Sequence, residues 1–345
     1  MTRRLHTVLV GATGAVGLEM LRILEGRDYP LASLTLVASS RSEGKRLSFR
    51  GEELVVQALS DKVFKGQDVA ILDVPDEISR EWAPIGAAAG CIQVDNSAAW
   101  RMEPDVPLVV PEVNPEEVHN APRGIIASPN CTTLAMVVPL APLHRDAGLT
   151  RLIIASYQAA SGAGQPGIED LWEQAETLVS AKEAVRRGGA GELLPPARAF
   201  RHPLAFNVIP QCGSFREDGY TSEEEKLLKE TRKILSLPGL SVSATCVRVP
   251  VLVGHSLAIH ATFERPITPE HARRLLENAP GVVLVDDPER FAYPTPLQAA
   301  GQDPCYVGRI RQDLADPKAL NLFVAADNLR KGAALNAIQV AELLA

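Results

Sequence analysis

The chain has 345 residues, a formal net charge of -7 at pH 7, and a composition of 46% hydrophobic and 22% charged residues. This length exceeds the size at which one hydrophobic core usually stops growing, so we expect two domains. The composition excludes a disordered, collagenous or coiled-coil protein. The negative charge, without a basic run, argues against nucleic acid as a partner.

Predicted strands and helices alternate through the first 150 residues. Strands are predicted over 7–10, 34–38, 69–72, 92–95 and 124–127, and helices over 15–25 and 77–89. Alternation of this kind is typical of parallel sheets, because each helix returns the chain to the same end of the sheet. We therefore predict an α/β domain with a doubly wound parallel sheet.

The second half of the chain has a different pattern. Longer strands are predicted over 152–158, 241–249 and 256–263, and helices over 168–182 and 222–235. We interpret this half as an α+β domain with an antiparallel sheet. Glycine and proline residues in 186–199 predict a surface loop. The apolar spacing over 331–344 predicts an amphipathic helix.

Cysteine usage and hydropathy bear on the compartment. The five cysteines are widely spaced, with no CxxC pair and no histidine at zinc-ligand spacing. We therefore expect reduced thiols, no metal site and a cytoplasmic protein. The apolar stretch 134–143 contains two prolines and is far shorter than the ~20 residues of a membrane span. Glycines interrupt the apolar run near the N-terminus, which fits a glycine turn better than a signal peptide, so we expect no membrane segment.

A strand followed by G-x-x-G-x-x-G occupies residues 8–17 and opens a helix. Glycines allow a sharp turn and the close approach of a pyrophosphate, whose charge then lies at the helix N-terminus. The pattern predicts a dinucleotide site, and the alternative is a tight turn without a ligand. The predicted cofactor contacts are Gly11, Thr13, Gly14, Ala15 and Val16.

The end of the second predicted strand bears on the choice between NAD and NADP. In an NAD site, an acidic residue at this position accepts hydrogen bonds from the ribose hydroxyls. Here the strand continues into Ser39-Ser40-Arg41-Ser42. Arg41 and Ser42 are suited to a 2′-phosphate, which favours NADP. The alternative is a solvated polar loop that includes an arginine.

Cys131 follows the polar turn 128–130 and precedes the apolar stretch 134–143. A cysteine at a helix N-terminus lies at the positive end of the helix dipole, which lowers the thiol pKa and favours the thiolate. We therefore predict that Cys131 is a nucleophile. The alternative is a buried, inert thiol, which is what we expect of the other four cysteines.

Seven segments, in order and spanning nearly the whole chain, form one pattern. They are GATGAVG at 11–17, DNSAAWR at 95–101, VPEVN at 110–114, SPNCTT at 128–133, SYQAASGAG at 156–164, RVPVLVGHS at 248–256 and DNLRKGAALN at 327–336. This pattern resembles aspartate-semialdehyde dehydrogenases. The resemblance implies a Rossmann-type NADP-binding domain, formed by residues 1–127 and 328–345. It also implies a catalytic and dimerisation domain over 128–327, similar to that of the phosphorylating glyceraldehyde-3-phosphate dehydrogenases.

The activity that the resemblance implies is the NADPH-dependent reductive dephosphorylation of L-4-aspartyl phosphate to L-aspartate 4-semialdehyde. This reaction serves the biosynthesis of lysine, methionine, threonine and diaminopimelate. The implied partners are the small-molecule substrates, including phosphate, and a second copy of the chain in a homodimer.

The resemblance also implies roles for individual residues. Cys131 would form a thioacyl intermediate, and His255 would act as the acid or base. Arg248 would anchor the substrate α-carboxylate through paired hydrogen bonds. Gln158 would orient the substrate, and Glu223 would reach its α-amino group. The alternatives are a structural histidine at 255, a core amide at 158, and a solvated first helical turn at 223–226 capped by Thr221 or Ser222.

Two further sets of residues are carried over from the family. The phosphate-binding set is Arg101, Asn130 and Lys226. The cofactor set is Ser161 and Gly162 in the nicotinamide-side loop, with Asn328 as the distal cofactor contact. For the second set the alternative is a glycine-rich turn. Arg248 and His255 are seven residues apart, so a continuous strand would place them on opposite faces. We therefore expect Pro250 and Gly254 to bend the chain between them.

One segment departs from the family. After the strand 69–72, members usually carry a small Ser-Ala-Gly-Gly-like turn beside the cofactor, whereas this chain has Asp73-Val74-Pro75-Asp76-Glu77. Three acids and a proline change both the charge and the backbone shape at this position. The cofactor pose, its affinity and the turnover are therefore the properties that we expect to differ.

Two alternative functions remain open at this point. One is another acyl-phosphate reductase, of the N-acetylglutamyl-phosphate type. Its substrate has no free α-amino group, so Glu223 and Arg248 argue against it. The other is a catalytically silent paralogue that binds nucleotide or a partner enzyme, and the presence of both Cys131 and His255 argues against that.

Overall fold

The structure is a computed structural model that describes residues 3–189 and 191–345. Its contacts divide the chain into two units. The first unit is assembled from Met1–Ala141, Lys229–Pro238 and Leu329–Ala345, and the second from Pro142–Leu228 and Gly239–Asn328. Two helices, one beginning at Cys131 and one beginning at Ser222, each contribute residues to both units.

The strands follow one another along the chain in two groups, one in each unit. They are β1 Leu5–Val10, β2 Leu31–Ala38, β3 Arg46–Phe49, β4 Glu52–Val55, β5 Gln57–Ala58, β6 Val69–Leu72, β7 Ile92–Asp95, β8 Ile125–Ala127, β9 Leu149–Gln158, β10 Ser241–Arg248, β11 His255–Phe263, β12 Val282–Leu284, β13 Cys305–Gln312 and β14 Ala319–Ala326. The α-helices are α1 Ala15–Gly26, α2 Asp76–Ala88, α3 Cys131–Ala147, α4 Gln165–Ser180, α5 Lys182–Arg186, α6 Ser222–Ile234, α7 Pro269–Glu277, α8 Pro296–Ala299 and α9 Leu335–Glu342.

The first unit contains the predicted parallel sheet. Its strand order is β5-β2-β1-β6-β7-β8, and each neighbouring pair is parallel. This is the Rossmann order. Strands β2 and β5 are added on one side of β1, and the order then reverses, so that β6, β7 and β8 are added on its other side. Every residue of β6 is buried, as expected of a strand covered on both faces. An antiparallel hairpin of β3 and β4, which the sequence analysis did not predict, is inserted after β2.

The C-terminal segment completes the core of the first unit. A π-helical turn over Arg330–Ala334 leads into α9. Ile338 and Val340 of α9 belong to the same buried cluster as Leu9 of β1 and Met20 of α1. Six of the eight residues of α9 are buried. The segment predicted as an amphipathic helix is therefore a core helix, with little of the polar face that such a helix has.

The second unit contains a mixed sheet, so the predicted antiparallel sheet is wrong. Its strand order is β10-β9-β11-β14-β13-β12. The pairs β9–β10 and β12–β13 are parallel, whereas the other pairs are antiparallel. The chain between β9 and β10 includes α4, α5 and α6, and a crossover of this length allows the next strand to run in the same direction.

The segment predicted as a surface loop carries little regular structure. Within 187–189 and 191–199 there is one short 3-10 turn, Gly191–Leu193, and Ala190 lies outside the described residues. The end of the segment is fixed, because Arg198 N and Ala199 N each donate to Asp170 Oδ2 of α4 at 2.8 Å. Within the described ranges, the helices lack the combination of length and apolar character that a bilayer crossing requires.

Candidate active site

The glycine loop between β1 and α1 has the geometry of a dinucleotide turn. Gly11 has φ +94°, and a Cβ there would lie 2.1 Å from Asp73 O. A Cβ at Gly17 would lie 2.3 Å from Gly11 O, so both positions require glycine. Gly14 occupies the N-cap of α1, where no side chain caps the helix and no acidic residue lies in the first turn. The predicted contacts Thr13, Ala15 and Val16 lie in this loop and first turn, whose N–H groups suit a pyrophosphate.

The residues predicted to bind a 2′-phosphate lie next to this loop. Arg41 and Ser42 form a 3-10 turn that follows β2. Arg41 is exposed and Ser42 is buried. Thr13 Oγ1 donates to Ser42 Oγ at 3.4 Å, which joins the end of β2 to the glycine loop. These residues fit a dinucleotide with a phosphate on its adenosine ribose.

The acidic turn that departs from the family also lies against the glycine loop. Asp73 N donates to Val10 O at 2.9 Å, and Asn96 Nδ2 donates to Asp73 Oδ1 at 3.5 Å. Burial raises the pKa of Asp73 to about 6, with a smaller contribution from the Asp95 carboxylate and an opposing one from Asn96. The turn thus places a carboxyl group with a raised pKa beside the predicted cofactor loop.

Cys131 is the first residue of α3, as predicted. Asn130 caps this helix, since its Oδ1 accepts from Thr132 N at 2.9 Å and from Thr133 N at 3.3 Å. Cys131 is partly exposed, whereas the other four cysteines are buried, and none of the five forms a disulfide. Burial raises the pKa of Cys91 to about 12 and that of Cys246 as well. Cys131 therefore differs from the other thiols in both position and access to solvent.

A buried glutamate, which the sequence analysis missed, connects two predicted phosphate-binding residues. Arg101 Nη1 donates to Glu230 Oε1 at 3.0 Å, and Asn130 N donates to Glu230 Oε2 at 2.7 Å. Within residues 3–189 and 191–345, Arg101 Nε is buried without a partner. The signal in the sequence was helical spacing, because Glu230 follows Lys226 by four residues and so lies on the same face of α6.

Replacing Glu230 by alanine is expected to lower the free energy of unfolding by about 3–5 kcal/mol, because the buried Arg101 cation would lose the carboxylate that forms an ion pair with it. The measurement is urea unfolding followed by circular dichroism. Glu183→Ala is the matched control, since its partner Arg186 and its own side chain are about 70% exposed. Such a pair contributes at most about 1 kcal/mol. Equal losses in the two variants would contradict the structural role of Glu230.

In the second unit, His255 is the first residue of β11 and is buried. Its Nδ1 accepts a hydrogen bond from Ala159 N at 3.0 Å. Because the donor is a backbone N–H, Nδ1 must be unprotonated, and the neutral ring carries its hydrogen on Nε2. Burial, together with a smaller effect of the Arg248 cation, lowers the pKa of His255 to about 3, and Glu223 opposes both. The arrangement therefore favours a neutral imidazole that donates from Nε2.

Arg248 is the last residue of β10, and its guanidinium is a buried cation. Its Nη1 donates to Ala159 O at 2.7 Å, and its Cζ lies 5.6 Å from the ring centroid of Phe200. Its Nε is buried and has no hydrogen-bond partner among the residues that the structure describes. A buried charge is costly unless an opposite charge accompanies it. The side chain is therefore suited to an anionic ligand such as a carboxylate.

Gly162 brings Arg248 and His255 together. A Cβ at Gly162 would lie 2.6 Å from Arg248 Nη1 and 3.1 Å from His255 Cε1. Both side chains thus contact the same glycine, although they belong to separate strands on either side of β9. The predicted bend between them is present, since β10 ends at Arg248, β11 begins at His255, and Gly254 has φ +98°.

Gln158, Glu223 and Lys226 form one chain of polar contacts. Gln158 Nε2 donates to Glu223 Oε1 at 3.0 Å, and Lys226 Nζ donates to Glu223 Oε2 at 3.2 Å. Gln158 is 1% exposed and Glu223 is 9% exposed. The alternative of a solvated first turn is therefore wrong for Glu223. Thr221 does cap the helix, because its Oγ1 accepts from Glu224 N at 3.3 Å.

Ser161, predicted on the nicotinamide side, and Asn328, predicted as the distal cofactor contact, are hydrogen-bonded to each other. Asn328 Nδ2 donates to Ser161 Oγ at 2.9 Å, and Asn328 Oδ1 accepts from Gly254 N at 2.9 Å. Asn328 therefore connects the glycine-rich turn to the residue that precedes His255. The predicted residues of the second unit form one cluster, and those of the first unit lie at the glycine loop and at the start of α3.

Comparison with known proteins gives a consistent result. Residues 6–121 match the model of the semialdehyde dehydrogenase NAD binding domain, and residues 140–331 match that of the semialdehyde dehydrogenase dimerisation domain. An aspartate-semialdehyde dehydrogenase of Aquifex aeolicus is 50% identical over 98% of this chain and 97% of its own. Neither alternative function is favoured by these relatives.

Solved structures agree with the sequence relatives. The crystal structure of aspartate semialdehyde dehydrogenase II from Vibrio cholerae, complexed with ASA, has a TM-score of 0.93 and 40% identity, covering 99% of this chain and 98% of that one. An aspartate semialdehyde dehydrogenase with NADP from Candida albicans has a TM-score of 0.73 and 26% identity, with 99% and 98% coverage.

Proposed function

This chain belongs to the aspartate-semialdehyde dehydrogenase family, and on that premise we propose that it converts L-4-aspartyl phosphate and NADPH to L-aspartate 4-semialdehyde, phosphate and NADP. The observation that carries the proposal for the substrate is the buried Arg248 cation beside the neutral His255. A substrate with an α-carboxylate would supply the charge that Arg248 needs, and it would hold a carbonyl group for reaction.

Cys131 is the proposed nucleophile. The Cys131 thiolate attacks the acyl carbon of the substrate, a carbon–sulfur bond forms, and the bond from carbon to the phosphate oxygen breaks. Arg101, Asn130 and Lys226 are proposed to hold the departing phosphate. When bound, the nicotinamide cofactor supplies the hydride that reduces the resulting thioester.

Four other side chains are proposed to orient the substrate and to donate a proton. Arg248 binds the α-carboxylate, and Glu223 binds the α-ammonium group. Gln158, held by Glu223 at 3.0 Å, orients the substrate carbonyl. The Nε2–H of His255 donates to the carbonyl oxygen as negative charge develops there. To take up a proton at Nδ1, His255 would first have to release the hydrogen bond from Ala159 N.

Cofactor preference is proposed to depend on Arg41. The arginine is exposed at the end of β2, where a 2′-phosphate of NADPH would lie. Arg41→Ala is expected to weaken NADPH binding by at least about ten-fold, the size of one lost charge-assisted hydrogen bond, and to change NADH binding by less than two-fold. The measurement is the quenching or transfer of nicotinamide fluorescence. An equal loss of affinity for NADPH and NADH would contradict the proposed preference for NADP.

We also propose a cytoplasmic homodimer. Ile153 and Tyr157 point outward from β9 and are 43% and 38% exposed. Tyr157 lies 6.3 Å from Phe323 of β14, centroid to centroid, so the outer face of the sheet carries an apolar patch that a second copy would cover. The five cysteines outside disulfides fit a reducing compartment.

The test of the proposed function is the reverse reaction. L-aspartate 4-semialdehyde, phosphate and NADP are mixed with the protein, and the absorbance of the reduced nicotinamide is followed, with NAD in parallel. Phosphate-dependent reduction of NADP is the expected result. A folded protein that binds NADPH but shows no such signal would contradict the proposed substrate. N-acetylglutamate 5-semialdehyde would then be the next compound to assay.

A further inference from the structure

The acidic turn after β6 occupies a special place in the sheet. The sheet order reverses between β1 and β6, and dinucleotides bind outside the carboxyl ends of the strands at such a reversal. The glycine loop follows β1, and Asp73 is the first residue after β6. Asp73 therefore lies at the position that this fold uses for its ligand.

The carboxyl group of Asp73 lies close to the glycine loop. A Cβ at Gly14 would be 3.9 Å from Asp73 Oδ2, and a Cβ at Gly11 would be 2.1 Å from Asp73 O. Both the backbone and a carboxyl oxygen of Asp73 thus border the turn where the uncapped α1 begins. This turn suits a pyrophosphate, which is negatively charged.

Within residues 3–189 and 191–345, the surroundings of Asp73 supply no compensating cation. Asn96, just after β7, donates one hydrogen bond of 3.5 Å, and Asp95 at the end of β7 adds a second carboxyl group. Asp76 at the start of α2 accepts from Ala98 N at 2.8 Å, and the glycine loop carries no charged side chain. Arg101 acts on Asp95, but among the described residues no lysine or arginine forms an ion pair with Asp73.

We propose that Asp73 links cofactor binding to protonation. A dinucleotide binds beside the protonated carboxyl group, whereas the negative charge of the carboxylate repels it. Binding at neutral pH is therefore accompanied by the uptake of one proton from solvent. This inference rests on the proposed function for one point, the identity of the ligand as a dinucleotide. Because burial raises the pKa of Asp73 only to about 6, the group is mostly ionised at pH 7 in the free protein. A nearby pyrophosphate raises the pKa further, and the proton is then retained.

The test is titration calorimetry of NADP binding at pH 6, 7 and 8, in two buffers with different heats of ionisation. The full chain is compared with Asp73→Asn and with the control Glu77→Gln, which removes an exposed carboxylate from the same turn. The ionisation of the 2′-phosphate is common to all three proteins and cancels in the comparison.

The ratio of the NADP dissociation constant of wild type to that of Asp73→Asn is expected to rise by up to about ten-fold for each pH unit above pH 7. At pH 8 Asp73→Asn should bind NADP at least ten-fold more tightly than wild type. Wild type should take up close to one more proton than Asp73→Asn at pH 7, and Glu77→Gln should behave as wild type does.

Parallel pH profiles of wild type and Asp73→Asn would overturn the proposal. Weaker binding by Asp73→Asn at pH 8 would also overturn it, because the carboxylate would then be accepting a hydrogen bond from the cofactor. If Asp73→Asn does not fold, Asp73→Ser restores the small polar residue usual in the family and carries the same expectations.

The absence of dinucleotide binding by all the folded proteins would contradict the proposed function itself. Proton uptake at Asp73 without activity on the semialdehyde would support the link between cofactor binding and protonation, and it would contradict only the proposed substrate.

Discussion

Replacing Cys131 by alanine is expected to abolish phosphate-dependent reduction of NADP, with a loss of at least about 10⁴-fold in kcat, because the proposed thioester forms on this sulfur. NADPH binding should remain within about two-fold of wild type, since Cys131 is proposed to contact the substrate carbon. The measurements are the reverse reaction and a fluorescence titration with NADPH.

Cys91→Ala is the matched control for this experiment. Cys91 is a second cysteine of the first unit, but burial raises its pKa to about 12, so it is not a nucleophile at neutral pH. This variant should keep most of the activity. If Cys131→Ala lost NADPH affinity by the same factor as it lost turnover, the residue would belong to the cofactor site and the proposed role would be wrong.

Replacing His255 by glutamine is expected to lower kcat by about 10²- to 10⁴-fold, the range typical of a lost proton donor or acceptor. The amide keeps some of the volume and hydrogen-bonding ability of the ring, so KM should change far less than kcat. A loss confined to KM would show that His255 only binds substrate. The control is His144→Gln, a histidine in the last turn of α3, which should have little effect on kcat.

The same variant tests the protonation state of His255. Its pKa is about 3 in the folded protein and about 6.5 in the unfolded chain. Between these values the unfolded chain binds the extra proton, so acid favours unfolding, by about 1.4 kcal/mol per pH unit. Wild type should therefore lose about 1.6 kcal/mol more than His255→Gln when the pH falls from 6.5 to 5, as measured by urea unfolding. Equal losses would mean that the folded protein already accepts a proton on this ring.

The local elements of the first unit were predicted well because their signals are local. The strands over 69–72 and 92–95 have the predicted bounds, since short buried runs between turn residues have few other conformations. The start of α3 at Cys131 followed from the polar turn before it. The β3–β4 hairpin was missed because its strands are short and mostly exposed, with little apolar alternation to detect.

The parts that the sequence could not reveal depend on contacts between distant segments. The direction of β10 relative to β9 is set by the path of the chain between them, so the parallel pair was predicted as antiparallel. The contacts of Arg248 and His255 with Gly162 require the pairing of three strands. Glu230 had a helical spacing that placed it near Lys226, but only the structure shows its hydrogen bonds to Arg101 and Asn130.

The assembly of the first unit from three chain segments has a consequence for biosynthesis on the ribosome. Domains generally fold in order from the N-terminus while the chain is still being made. Here, however, α9 contributes Ile338 and Val340 to the core that surrounds Leu9 and Met20. The nucleotide-binding core cannot close until these late residues leave the exit tunnel. The nascent chain therefore carries an open apolar surface for most of its synthesis, and we expect it to be a client of ribosome-associated chaperones.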